Sequence, residues 1–283
     1  MTDQAARGRS IGLAGTYGEC IAEFLGTMIL ILFGDGCVAT FALFTGLGSF
    51  ANEWMVIILG WGLAVMLGIY VAGAISGAHL NPAVTLALAV RGKLAWRKVV
   101  PYCIAQLLGA FVAAGILYFV YLDAIIHVVG TNNIAHIVDG VFYTSSQPFV
   151  STFGAFGSEF LGSALLVGLI FAITDGRNQP IQGNMNPLII GLLIVALGAS
   201  FGLNTGYAIN PARDFGPRLW IALVSDGASL TSYTWIPLVA PLMGVIVGAL
   251  IYDFSIGKII EAREVAKSGQ AETEKEAIHK SVL

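Results

Sequence analysis

The sequence predicts an all-α membrane protein in which six transmembrane helices and two re-entrant half-helices form an inverted repeat. Three observations carry this. The chain is 57% hydrophobic and only 11% charged, with mean hydropathy +0.81, whereas soluble domains carry about a quarter charged residues. So much apolar surface does not fit inside one aqueous core. Six apolar stretches reach the roughly 20 residues that a helix needs to cross the hydrocarbon layer, and two shorter apolar pieces each open at an Asn-Pro.

Residues 1–18 are polar and basic (Arg7, Arg9), with no short apolar core and cleavage site behind them, so the first span, 20–44, reads as a retained anchor. The second, 54–76, runs into "SGAHLNPAVT" (76–85), where Pro82 opens an apolar piece at 82–90. The third covers 99–122. Spans four to six follow at 153–174, 187–203 with its flanks, and 235–256. Between the last two, "TGYAINPARD" (205–214) repeats the break, with an apolar piece at 211–223. Pieces too short to cross and too apolar for ordinary loops are candidate half-helices. The membrane domain is thus 1–257, and the charged stretch 258–283 is expected to be a solvated cytoplasmic tail.

Orientation follows from the basic residues. Of the 14 Lys and Arg, all but Arg213 and Arg218 fall in the N-terminal tail, the 91–98 loop, the 175–186 loop and the C-terminal tail. Six spans put these on one side, which is cytoplasmic by the positive-inside rule. The 123–152 connection has no Lys or Arg and belongs outside.

The chain also repeats itself. "AEFLGT" (22–27) returns as "SEFLGS" (158–163), "GAHLNPA" (77–83) as "GYAINPA" (206–212), and "AQLLGAFVAAGILY" (105–118) more faintly as "APLMGVIVGALIY" (240–252). The halves, about 18–122 and 153–257, each hold an odd number of spans, so the copies enter from opposite faces. An inverted repeat places its functional site near the midplane.

Pro at the first helical position loses nothing, because that N–H has no intrahelical partner. Asn before it is a strong N-cap whose NH₂ stays free to point elsewhere. Asn81-Pro82-Ala83 and Asn210-Pro211-Ala212 therefore read as two capped half-helix starts. The extended stretches before them leave carbonyls unpaired at Gly77, Ala78, His79, Asn204, Thr205 and Gly206, tolerable in a membrane only along a polar cavity. Tip to tip, the half-helices would bring two amide donors and two positive helix ends to the midplane, a line that passes small hydroxylic molecules and repels cations and hydrated protons.

Paired NPA boxes in duplicated halves, with "AEFLGT" and "SGAHLNPAV", make the chain resemble the major intrinsic proteins, the aquaporins and glycerol facilitators, over about residues 18–257. The resemblance implies an aquaporin-like fold with an hourglass pore in each protomer of a homotetramer. It also implies a selectivity filter at Trp61, Gly198, Tyr207 and Arg213, in the pattern of the glycerol-conducting branch. Tyr121, Asp214, Arg218, Pro241 and Leu242 resemble markers of that branch. Tyr207 and Asn204 stand where many bacterial facilitators have Phe and Leu. In such a filter Trp61 and Tyr207 would wall the CH backbone of a polyol, Arg213 opposite them would donate to two hydroxyls, and Gly198 would leave space.

The implied function is a passive channel for glycerol, water and small neutral solutes such as other polyols, urea or dihydroxyacetone. A mainly water-selective pore and an ion- or proton-coupled transporter are the alternatives. No nucleophile–base pair, metal cluster or phosphate loop suggests an enzyme, a cofactor, a metal or a nucleic-acid partner. Glu23 and Glu159, at equivalent repeat positions, are expected to brace the NPA loops in preference to relaying protons. Asp35 is expected near a helix end facing water, His79 to give its carbonyl to the pore, and His127, His136 and His279 to lie in loops or tail. Cys20, Cys37 and Cys103 read as packing residues. Short tails and the lack of an N-x-[ST] site suggest a bacterial plasma membrane.

Overall fold

The computed structural model describes residues 13–44, 53–129 and 140–282. Arg7, Arg9 and His136, and the side chain of His279, lie outside what it describes. Among the described residues it is all-helical, with six helices long and apolar enough to cross a membrane. The first repeat comprises α1 (Thr16–Leu43), α2 (Trp54–Ser76), the half-helix α3 (Pro82–Val90) and α4 (Val99–Val120), the last entered through a 3₁₀ turn at Trp96–Lys98. A short helix, α5 (Leu122–Val129), opens the connection between repeats, and exposed His127 stands on it, not in a loop. The second repeat comprises α6 (Thr152–Thr174), α7 (Asn186–Thr205), the half-helix α8 (Pro211–Val224) and α9 (Ile236–Tyr252). A π-helical turn at Asp253–Gly257 leads to α10 (Lys258–Val282), which is exposed from Glu261 to Gln270.

The outer faces are apolar. Leu59, Leu63 and Leu67 on α2, and Ile104, Leu108, Val112 and Ile116 on α4, are exposed at four-residue steps. Such stripes are one helix face turned toward hydrocarbon, since an aqueous surface tolerates no apolar patch of that extent. The chain is a multi-pass membrane protein.

Inside, the repeat is expressed as packing. α1 lies against α2 and α4 as α6 lies against α7 and α9, and α2 meets α7 across the halves. Each half-helix crosses over, α3 packing on α9 and α8 on α4. The duplicated glycines set the closest approaches. A Cβ on Gly109 would stand 2.3 Å from the Phe24 carbonyl oxygen, and one on Gly244 2.2 Å from that of Phe160. Small residues let backbones meet where lipid supplies no hydrophobic drive between helices. α2 and α7 end alike, on the left-handed glycines Gly77 and Gly206, whose N–H groups donate to Gly73 and Gly202.

Candidate functional site

The half-helices meet at their N-termini. Asn81 Oδ1 accepts from Ala83 N (2.8 Å), and Asn210 Oδ1 from Ala212 N (3.0 Å) and Arg213 N (3.2 Å), with Pro82 and Pro211 opening the helices. The Asn amides then cross between halves: Asn81 Nδ2 donates to the Ile209 carbonyl (2.9 Å) and Asn210 Nδ2 to that of Leu80 (2.8 Å). One N–H of each amide is thus spent on the opposite loop, and the other remains at a cavity that both Asn residues line.

The loops before the caps carry matched strain. Gly77, Ala78 and Leu80 have φ of 86°, 50° and 52°, and their repeat mates Gly206, Tyr207 and Ile209 have 82°, 39° and 43°. Left-handed backbone in residues with a Cβ costs on the order of 1 kcal/mol each and persists only where neighbours over-determine it. Two buried carboxylates do so. Glu23 accepts from Ser76 Oγ (2.6 Å), His79 N (2.8 Å), Leu80 N (2.7 Å) and Gln106 Nε2 (2.7 Å). Glu159 accepts from Thr205 Oγ1 (2.7 Å), Ala208 N (2.9 Å) and Ile209 N (2.7 Å). The repeat mate of Gln106 is Pro241, which has no amide to offer, so the second carboxylate has one donor fewer. Gln106 also donates to Thr85 Oγ1 (3.0 Å), which bonds the His79 ring (3.1 Å).

Two cavities flank these loops. The larger, about 520 Å³, runs from Glu19, Lys93 and Lys98 on the basic side past Gly77, Ala78, His79, Asn81 and Asn210 to Trp61, Tyr207 and Arg213. The smaller, about 270 Å³, begins at Trp61 and Arg213 and opens through Trp54, Thr144, Thr205 and Gly206. Trp61 and Arg213 line both and mark the constriction between them. On the basic side, hydrogen bonds from Arg177 hold the Asp175 carboxyl well below the usual carboxylate range, and Tyr252 Oη donates to it (2.8 Å).

Several expectations change on contact with this geometry. Asn204 is not a free pore carbonyl: helix α7 continues through Thr205, and the Asn204 carbonyl accepts from Gln147 N at 3.0 Å. The non-helical stretch begins at Gly206, and Tyr207, Ala208 and Ile209 line the larger cavity. Gly198 does not give its space to a solute. A Cβ there would lie 2.8 Å from Tyr207 Cζ and 2.7 Å from Ile58 Cγ2, so the space holds the Tyr207 ring. Arg213 does not face the Trp61 ring across the bore but lies on it, with its guanidinium carbon 4.0 Å from the ring centroid, a cation–π contact. Asp35 is fully buried, 3.7 Å from Arg213 Nη1, and does not face water.

Trp54 carried no sequence signal of a site. It lines the smaller cavity, donates to the Gly198 carbonyl (3.2 Å) and meets Tyr207 edge-on. Asp214 and Arg218 sit beneath this mouth without lining it. Arg218 pairs with Asp214 (2.8 Å), donates to the carbonyls of Thr144 (2.6 Å) and Ser229 (2.8 Å), and lies 4.2 Å over the Tyr143 ring. Asp214 Oδ2 accepts from Thr144 N (2.8 Å) and Oγ1 (2.7 Å), so the pair ties the 140–147 loop to α8. Tyr121 ends α4 against Phe44, and Pro241 and Leu242 lie within α9; none of the three lines either cavity.

At the constriction, Trp61 Nε1, Tyr207 Oη and Arg213 Nη1 are buried without hydrogen-bond partners. Donors left unpaired beside a cavity are suited to molecules carrying hydroxyl groups.

The family model described as "Major intrinsic protein" matches residues 11–252. The chain is 46% identical over 242 residues to "Aquaglyceroporin-2" of Rhizophagus irregularis, covering 83% of this chain and 76% of that one. It is 42% identical over 253 residues to the "Glycerol uptake facilitator protein" of Escherichia coli (strain K12), covering 85% and 89%. Among solved structures, that of the aquaglyceroporin from Plasmodium falciparum superposes with TM-score 0.80 at 36% identity, covering 88% of this chain and all of the other. Relatives from a fungus and from bacteria are of similar identity, so the similarity does not support a specifically bacterial source.

Proposed function

We propose, from the premise that this chain belongs to the major intrinsic protein family, that it is a passive channel for glycerol and other small neutral solutes together with water. The observation that carries the reading is the constriction, where unpaired donors of Trp61, Tyr207 and Arg213 adjoin two large aromatic surfaces. A polyol is the molecule with a hydroxyl edge for such donors and a CH edge for such rings. The two Asn amides at the half-helix tips offer the next donors along the path, and the facing helix ends exclude cations and protons electrostatically. The basic side, in this reading, faces the cytoplasm with both termini. The protein works as a homotetramer with a path in each copy.

Stopped-flow light scattering on reconstituted vesicles tests it. Glycerol equilibrates much faster than in empty vesicles, without dependence on voltage or a proton gradient. Glycerol flux equal to that of empty vesicles would leave only a water pore, and accumulation against a gradient would make the protein a transporter. Trp61→His reduces glycerol permeability more than water permeability, by about tenfold in the ratio, because one aromatic wall is replaced by a small polar ring. Equal loss of both would place Trp61 outside the filter.

A further inference from the structure

Asp35 is used by none of the above. It is fully buried in α1, neither carboxylate oxygen accepts a hydrogen bond, and it lines neither cavity. A buried carboxylate with no hydrogen bond is costly, and a residue that served only to pack would gain nothing from the charge. Its Oδ1 stands 3.7 Å from Arg213 Nη1, beyond hydrogen-bond reach but well within Coulombic range where water is excluded. Arg213 Nη1 has no hydrogen-bond partner either. The neighbouring residue completes the arrangement. A Cβ on Gly34 would lie 2.2 Å from Trp61 Cζ3, so Gly34 admits the Trp61 ring on which the guanidinium rests. Consecutive residues of α1 thus hold the two partners of one stack.

We propose that Asp35 is a positioning residue of the constriction: its carboxylate keeps the Arg213 guanidinium stacked on the Trp61 face at the edge of the bore, and thereby preserves room for a polyol. Without it, the guanidinium loses the carboxylate it pairs with among the described residues and swings further into the cavity, where it narrows the path and binds water. Glycerol, the wider solute, then suffers more than water does. The inference rests on the reading of this ring as the solute filter.

The test compares Asp35→Asn and Asp35→Val, each alone and combined with Arg213→Val, in vesicles scored for both glycerol and water permeability. The ratio of the two is independent of how much protein inserts. In each single variant the glycerol-to-water ratio falls about fivefold, and in the Arg213→Val background the Asp35 change moves it less than about twofold, as expected for a coupled pair. Wild-type ratios in both single variants would overturn the inference, as would an equal fall with Arg213 already removed. Wild-type protein that fails to pass glycerol would defeat the channel reading and this inference together. Wild-type conduction with unaltered variant ratios would defeat this inference alone.

Discussion

Glu159→Leu abolishes solute flux and lowers the thermal midpoint in detergent by on the order of 10 °C. The leucine removes the acceptor for Thr205 Oγ1, Ala208 N and Ile209 N in a site with no solvent access. Each stranded backbone donor costs about 1–3 kcal/mol, and Tyr207 and Ile209 lose what holds them left-handed. Those residues relax toward ordinary backbone, which withdraws the Ile209 carbonyl from Asn81 and the Tyr207 ring from the constriction. Glu159→Gln keeps one acceptor oxygen and falls between. Midpoints from intrinsic tryptophan fluorescence, paired with glycerol flux, check the order; a Leu variant with the wild-type midpoint would mean that the loop holds itself.

Arg218→Met is expected to destabilise by about 3–5 kcal/mol, the cost of leaving one member of a buried ion pair behind. Asp214 would keep only its bonds from Thr144, while the carbonyls of Thr144 and Ser229 lose their donor. Adding Asp214→Leu to Arg218→Met should restore more than half of the lost stability, since an apolar replacement for both partners carries no stranded charge. The same thermal melts decide it. A double variant no better than the single one would show that the pair's value lies in the loop attachment and not in charge balance. Glycerol flux should stay low in both, because the 140–147 loop lines the smaller cavity.

Much of the fold was legible because its signals are local. Apolar runs of the right length mark the six spans, and Asn-Pro before a short apolar piece marks a capped half-helix. The repeated hexapeptides and heptapeptides mark the duplication and hence the inversion. The rest depends on which face of a helix a residue occupies, and spans that are apolar all round carry no such code. Asp35 looked like a polar residue near water because nothing local shows that Arg213 stands beside it. Gly198 and Trp54, on two different helices, are tied to Tyr207 in the loop between α7 and α8. The left-handed turns at Ala78, Leu80, Tyr207 and Ile209 use residues with no preference for that backbone. They follow from carboxylates dozens of positions away, Glu23 and Glu159.

The exchanged amide bonds between the half-helices also bear on how the protein is made. Asn81 reaches the Ile209 carbonyl, and Asn210 that of Leu80. A ribosome that has delivered only the first repeat has therefore released a break whose amide has no acceptor yet. That break closes only once the second repeat has supplied Ile209, so the joint between the half-helices cannot form in a chain that ends before it.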